Sequence, residues 1–346
     1  MEETPLSVYY QTVYLTKCPY TQESIFSSVQ FLTYFSRIIA LLSFPIQLLT
    51  AYCIWKRTPD NMKSVKASLM NLNFWCTVSL IASSFFMCPY LFFPYIAGFN
   101  AGVLTDLNVP TVVQFYISFS ISFAMIVSMV LVFESRSSSI SQNRFRIKTT
   151  SGRLIWTSLN FFGLIGLLIP ILFDLPDQIN AKMNILKTIP CPTIEFFTQP
   201  VLVLASEGFW ETYDKYACIT MYIGLTSEVL FFTSCCIYYL FISKNIQVSC
   251  QTRRLQIRCF YGIVLQTLIP VCLTFIPLTV SMNHSKGEEY NQPETNMVFI
   301  TLCLQNSATS LSILIVHQPY RRFLKTKLWC KKKKISKIVH VSSHSL

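Results

Sequence analysis

The chain has 346 residues, of which 13% are charged and 52% hydrophobic, with a net charge of +12. A soluble domain of this length carries about a quarter charged residues, so most of this chain must meet lipid or other apolar helices, and no separate soluble domain fits. The excess positive charge sits beside apolar stretches and no nucleic-acid-reading motif accompanies it, which argues for an anionic lipid surface as its partner and against nucleic acid.

Residues 1–28 contain Glu2, Glu3 and Glu23 and lack a basic segment followed by an apolar one. They read as an N-terminal segment outside the membrane and not as a cleaved signal peptide. Seven apolar stretches follow, near 29–55, 66–98, 110–133, 154–174, 216–243, 258–281 and 296–317, each long enough to span a bilayer as a helix. Of the 28 Lys and Arg residues, 22 fall in the loops after spans one, three and five and in the tail. That bias places these segments inside, the N-terminus outside and the C-terminus inside. The expected fold is therefore an all-α seven-helix transmembrane bundle over 29–317, with a cytoplasmic basic tail over 318–346.

Within the spans, Pro89 and Pro94 in the second and Pro270 and Pro277 in the sixth are expected to kink their helices. Arg37 in span one is placed to snorkel toward the headgroups. Glu228 in the middle of span five is expensive in a bilayer, so it is expected to face a ligand or an internal partner. The long outer connection, about 175–215, has the mixed character of an ordered cap. Cys191 at its centre lies on the oxidising side. A disulfide is expected there, with Cys18 the favoured partner because it is clear of the bilayer, ahead of Cys88 and Cys218. Asn283-His284-Ser285 is a glycosylation triplet close to the end of span six. No Cys/His spacing implies a metal, and no cofactor is expected.

After span seven the chain reads His317-Gln318-Pro319-Tyr320-Arg321-Arg322-Phe323. Tyr320, Phe323, Leu324 and Leu328 alternate with basic residues at helical spacing, as in a short amphipathic helix at the inner interface. Cys330 follows, a palmitoylation candidate or a free thiol, and then Lys331 to Lys334 and Lys337, suited to anionic inner-leaflet lipid.

The histidine–proline–tyrosine–arginine motif resembles that of the nematode serpentine receptor class H chemoreceptors, within the Str group of seven-helix receptors. Thr58-Pro59, Met62 to Lys66 and Leu69 to Trp75 resemble that family's first inner loop and second helix. Phe93-Pro94 with Ala97-Gly98 resembles its span-two end. Leu175 to Gln178, Ile189 to Pro192 and Glu195 to Phe197 resemble its second outer loop. Phe133-Glu134-Ser135-Arg136 departs in one position, since the family typically has Glu-Asn-Arg. The resemblance implies a chemosensory G-protein-coupled receptor in the plasma membrane of a sensory cilium. Its partners would be a small odorant-like ligand outside and a heterotrimeric G protein inside; pairing of two receptors stays open. It further implies that Glu134, Arg136, Tyr320 and Arg321 form the coupling face. Depth in the bilayer selects Tyr116, Tyr222, Glu228 and Phe275 as ligand-lining residues. The alternative, a ligand-gated channel or solute transporter, needs polar residues strung through the bilayer, and Arg37 and Glu228 stand too isolated for that. An intramembrane enzyme needs clustered catalytic groups at one depth, and all four histidines lie outside the membrane core.

Overall fold

The computed structural model describes residues 4–18, 24–93, 95–204, 208–243, 250–284 and 290–327; the side chains of Phe275 and Asn283 are outside that description, as are Pro94 and the tail from Leu328. Among the described residues, seven helices are long and apolar enough to cross a membrane. They are α1 (Val29–Arg57), α2 (Lys63–Ile81), α3 (Thr111–Ser138), α4 (Thr150–Phe173), α5 (Phe209–Ile237), α6 (Cys250–His284) and α7 (Gln292–Val316). Local chemistry sets several of their ends. Ser28 caps α1 by accepting from the Phe31 amide, and Thr149 caps α4 by accepting from the Gly152 amide. α1 stops at Thr58, whose extended backbone is what a following proline demands. α7 ends at His317, whose backbone is extended, and Pro319 falls in the first turn of the helix that follows. Residues 318–327 then form the expected short helix.

Span two departs from expectation. Its helix does not run to residue 98 with two kinks. It widens into a π-helical turn over Ala82–Met87, and Cys88 then turns the chain with a left-handed backbone, φ 46°. Strand β1 (Pro89–Leu91) follows and pairs antiparallel with β2 (Ala97–Asn100). The proline disfavours helix at the residue before it, so here it terminates the helix instead of bending it. Pro270 and Pro277, by contrast, stay inside α6, as Pro45 does in α1 and Pro170 in α4.

Strand β3 (Leu202–Val203), from the long outer connection, adds to β2 and completes a three-stranded sheet. The exposed edge of β3 is not left bare. The Gln178 amide accepts from the Val203 N–H at 2.9 Å and donates to the Val203 carbonyl at 3.1 Å, standing in for a fourth strand. Gly98 sits where a Cβ would run into the Tyr90 carbonyl, so this close crossing of β1 and β2 requires glycine.

The sheet, the helix Gln178–Thr188 and the N-terminal segment form an outer cap over α1 and α7. Tyr90, Phe92, Phe99 and Phe196 are each 2% exposed or less at its centre. The Tyr90 hydroxyl donates to the Ser27 carbonyl at 2.6 Å, and burial pushes its pKa up, keeping it a neutral donor. Tyr9 and Tyr14 donate to the carbonyls of Pro190 and Pro192 at 3.1 and 2.9 Å. The rings of Tyr9, Tyr10 and Tyr14 surround Phe197. A disulfide joins Cys18 to Cys191 with Cα atoms 5.6 Å apart; Cys88 and Cys218 are free thiols. α7 is tied to the cap as well, since Gln292 donates to the Leu91 carbonyl and Asn296 to that of Phe26.

That bond fastens the N-terminal segment to the cap covalently, beside the two tyrosine hydrogen bonds and the ring contacts on Phe197. Cys191→Ser should therefore lower the thermal midpoint of the purified protein, by an amount in the range of about 2–4 kcal/mol typical of native disulfides. Peptide mapping without reductant should recover residues 18 and 191 joined. Recovery of both as free thiols would exclude the bond.

Candidate ligand-binding and coupling sites

On the outer side, Tyr116 packs into an aromatic cluster built by α3, α4, α5 and the underside of the sheet. Phe115, Phe123, Leu164, Leu168 and Leu202 are buried at its heart. Tyr222 does not join it: the side chain is 55% exposed on α5. Glu228 lies along α5 beside Asn160 of α4, half-buried, with one carboxylate oxygen enclosed and unpaired. It thus sits at the seam of two neighbouring helices. Phe275 belongs to α6, but its side chain is outside the described residues. Depth fixes height along a helix but not rotation about its axis, and Tyr222 lies on an exposed face of α5, apart from the cluster that holds Tyr116. Asn283 occupies the last turn of α6.

The inner side is better defined. Glu134 is completely buried, yet its partner is not Arg136 two residues away. Arg153, at the start of α4, meets Glu134 with Nε–Oε2 at 2.7 Å and Nη2–Oε1 at 3.4 Å. Ser138 donates to the same carboxylate at 2.6 Å, and Ser135 contacts it at 3.4 Å. A buried carboxylate without such partners would cost several kcal/mol, so α3 and α4 are held in register here. Ser135, the departure from the family motif, also meets the Ser68 hydroxyl on α2. The small side chain lets α2 and α3 approach closely at this level.

Arg136 is thereby released from Glu134. Its guanidinium turns toward α6, donating from Nη2 to the Gln256 carbonyl and from Nη1 to Ser139 at 3.4 Å. At 5% exposure it is a packed residue. α6 is bound in turn to α7. Gly262 lets Val316 approach to where a Cβ would stand 2.8 Å from its methyl, and His317 pairs with Gln266 at 3.1 Å.

Tyr320 is fully buried and hydrogen-bonds Thr58 at 2.7 Å, so it anchors the 318–327 helix to α1 and does not lie open on the inner face. Arg57 covers the Phe323 ring at 4.4 Å from the same side. Arg321 is exposed. The residues that sequence reasoning missed are Arg153, Gln256, Gln266 and Thr58. Of these, only Arg153 carried a signal, as a basic residue opening a span beside an acid closing the previous one.

The pair Glu134–Arg153 should behave as a unit. Arg153→Met leaves a buried carboxylate and is expected to cost more thermal stability than Glu134→Gln, up to about 3 kcal/mol. The double variant should lose less than the sum of the two. Additive losses in thermal melts would mean the pair is not coupled.

Comparison with known proteins places these features in a group. The sequence model described as "Serpentine type 7TM GPCR chemoreceptor Srh" matches residues 27–330. Serpentine receptor class H-72 of Caenorhabditis elegans is 45% identical over 346 residues, covering 100% of this chain and 98% of that protein. The crystal structure of squid rhodopsin is similar with a TM-score of 0.49 at 10% identity, covering 95% of this chain and 88% of that one.

Proposed function

Because the chain belongs to the serpentine class H family of seven-helix G-protein-coupled chemoreceptors, we propose that it binds a small, weakly polar, odorant-like ligand from the outer side and activates a heterotrimeric G protein at the inner face. The observation that carries this reading is the Arg136 contact to the Gln256 carbonyl, which closes α3 against α6. A shallow hollow lined by Ile140, Gln142, Tyr239, Arg253 and Gln256 opens beside it, where a G-protein segment would enter. Receptor activation in this scheme means that ligand binds an arrangement with the α3–α6 contact broken better than the closed one; equal affinity for both would shift nothing.

The ligand's place is the apolar, aromatic region of α3 and α5 beneath the cap, where Tyr116 lies; Tyr222, Glu228 and Phe275 remain its further candidate contacts. An apolar pocket with few polar groups suits a small odorant. Glu134 holds the base of α3, Arg136 forms the contact that breaks, Tyr320 positions the inner helix and Arg321 is presented to the G protein. Lys331 to Lys334 and Lys337, outside the described residues, engage anionic inner-leaflet lipid at about 1 kcal/mol each. The receptor resides in the plasma membrane with its N-terminus outside and its C-terminus inside. Localisation to a sensory cilium completes the reading, with Asn283 as its candidate glycosylation site.

Two measurements test it. Tags at residue 1 and after Leu346 in intact cells should label from outside and inside respectively; outside labelling of the C-terminal tag would invert the topology. Arg136→Ala should remove most of the ligand-evoked second-messenger response per surface receptor, because neither Ala nor Lys reproduces the planar donor geometry. The buried position adds a moderate loss of surface level. An undiminished normalised response would remove Arg136 from coupling, and an undiminished ligand-evoked current without G protein would favour a channel.

A further inference from the structure

Asn100 ends β2, and it is 2% exposed. Neither its amide nitrogen nor its amide oxygen has a hydrogen-bond partner. Its backbone carbonyl accepts from the Thr105 hydroxyl at 2.7 Å.

The register of the sheet shows where that side chain points. Tyr90 pairs with Phe99 and Ala97 with Val203, and all four belong to the cluster that the sheet forms with α1, α7 and the helix Gln178–Thr188. Alternation puts Leu91, Gly98, Asn100 and Leu202 on the opposite face. Leu91 and Leu202 on that face pack into the aromatic cluster of α3, α4 and α5. β2 itself rests on the outer end of α3. The Asn100 amide is therefore directed under the sheet, toward the region of Phe115 and Tyr116. Gln114, the nearby polar residue of α3, is already committed to Thr105 and to the Val109 carbonyl. A buried amide with no partner carries the full cost of its lost hydration, while a same-shaped apolar residue would carry none.

We propose that Asn100 is the polar anchor of the ligand site, recognising a small apolar molecule through one group that both donates and accepts a hydrogen bond, such as a hydroxyl or a primary amide. This rests on the ligand-receptor reading above and specifies the chemistry of its ligand. The apolar body of the molecule lies against Phe115, Tyr116 and Leu91. Its polar group meets the Asn100 amide on the face of the sheet that looks toward α3, α4 and α5, so the sheet forms one wall of the site.

The test uses the purified full-length chain in lipid nanodiscs, with Asn100→Leu as a near-isosteric variant and Asn100→Ser in case the leucine form is not recovered. Without added probe, Asn100→Leu should melt at a higher temperature than wild type, since it removes an unsatisfied group. A lower melting temperature would show the amide to be satisfied within the fold and would overturn the proposal. The probes are a short linear alcohol, the primary amide of the same chain and the methyl ether of the alcohol, which accepts but cannot donate. Wild type should be stabilised by alcohol and amide at roughly ten- to hundred-fold lower concentration than by the ether. In the variant this preference should collapse. An unchanged preference, or equal weakening of all three probes, would overturn the anchor role. If cells respond to the probes with the same ranking but through a current that needs no G protein, the receptor reading fails and the anchor stands.

Discussion

Inside a bilayer every backbone N–H and C=O must find its partner within the protein, and this single constraint orders the whole molecule. It makes the seven spans helical irrespective of local propensity. It also explains where non-helical backbone is found. The hairpin 89–100 lies where α2 has left its helix, and its strand pairs, the third strand and the Gln178 side chain close the ladder on every side that is buried. The tyrosines of the N-terminal segment do the same for the Pro190 and Pro192 carbonyls, which have no strand opposite them.

The spans, their number and the sorting of basic residues were legible in the sequence because hydropathy and charge are one-dimensional quantities. The end of α2 was not. Residues 89–98 are as apolar as the helix before them, and Pro89 alone does not say whether a helix bends or stops. What decides is whether partners exist for the strands: β1 finds its partner in β2 close by, but β2 needs β3, more than 100 residues away. The disulfide partner of Cys191 was legible as a preference because Cys18 stood clear of apolar sequence. The ligand-lining guesses fared differently. Spans that are apolar on every side give no stripe from which to read the inward face, so Tyr116 and Tyr222 looked equivalent and are not.

The inner face shows why a local motif underdetermines its own geometry. An acid and a base two residues apart on a helix point in different directions, so the Glu134–Arg136 spacing already disfavours a direct pair. The partner comes from the next span, where Arg153 opens α4. Having an acid neutralised from one side frees the base to work on the other. α3 is thereby fastened firmly to α4 by a charged, buried contact and lightly to α6 by a bond to a backbone carbonyl. α6 and α7, joined through Gly262 and the His317–Gln266 pair, form the unit against which that lighter contact closes.

The bond between Cys18 and Cys191 spans 173 residues of sequence, and four membrane crossings lie between its ends. An even number of crossings is required for two thiols to meet at all, so the bond and the span count support each other. It also dates the assembly of the cap. Cys18 emerges first in synthesis, but its partner reaches the same side only after α4 has been threaded through the bilayer. Until then the N-terminal segment has nothing to dock on and carries an unpaired thiol. A chain stalled before the fourth crossing, or inserted with one span skipped, would keep that thiol reactive. The disulfide is thus a covalent record, within each molecule, that an even number of spans was inserted between its two cysteines.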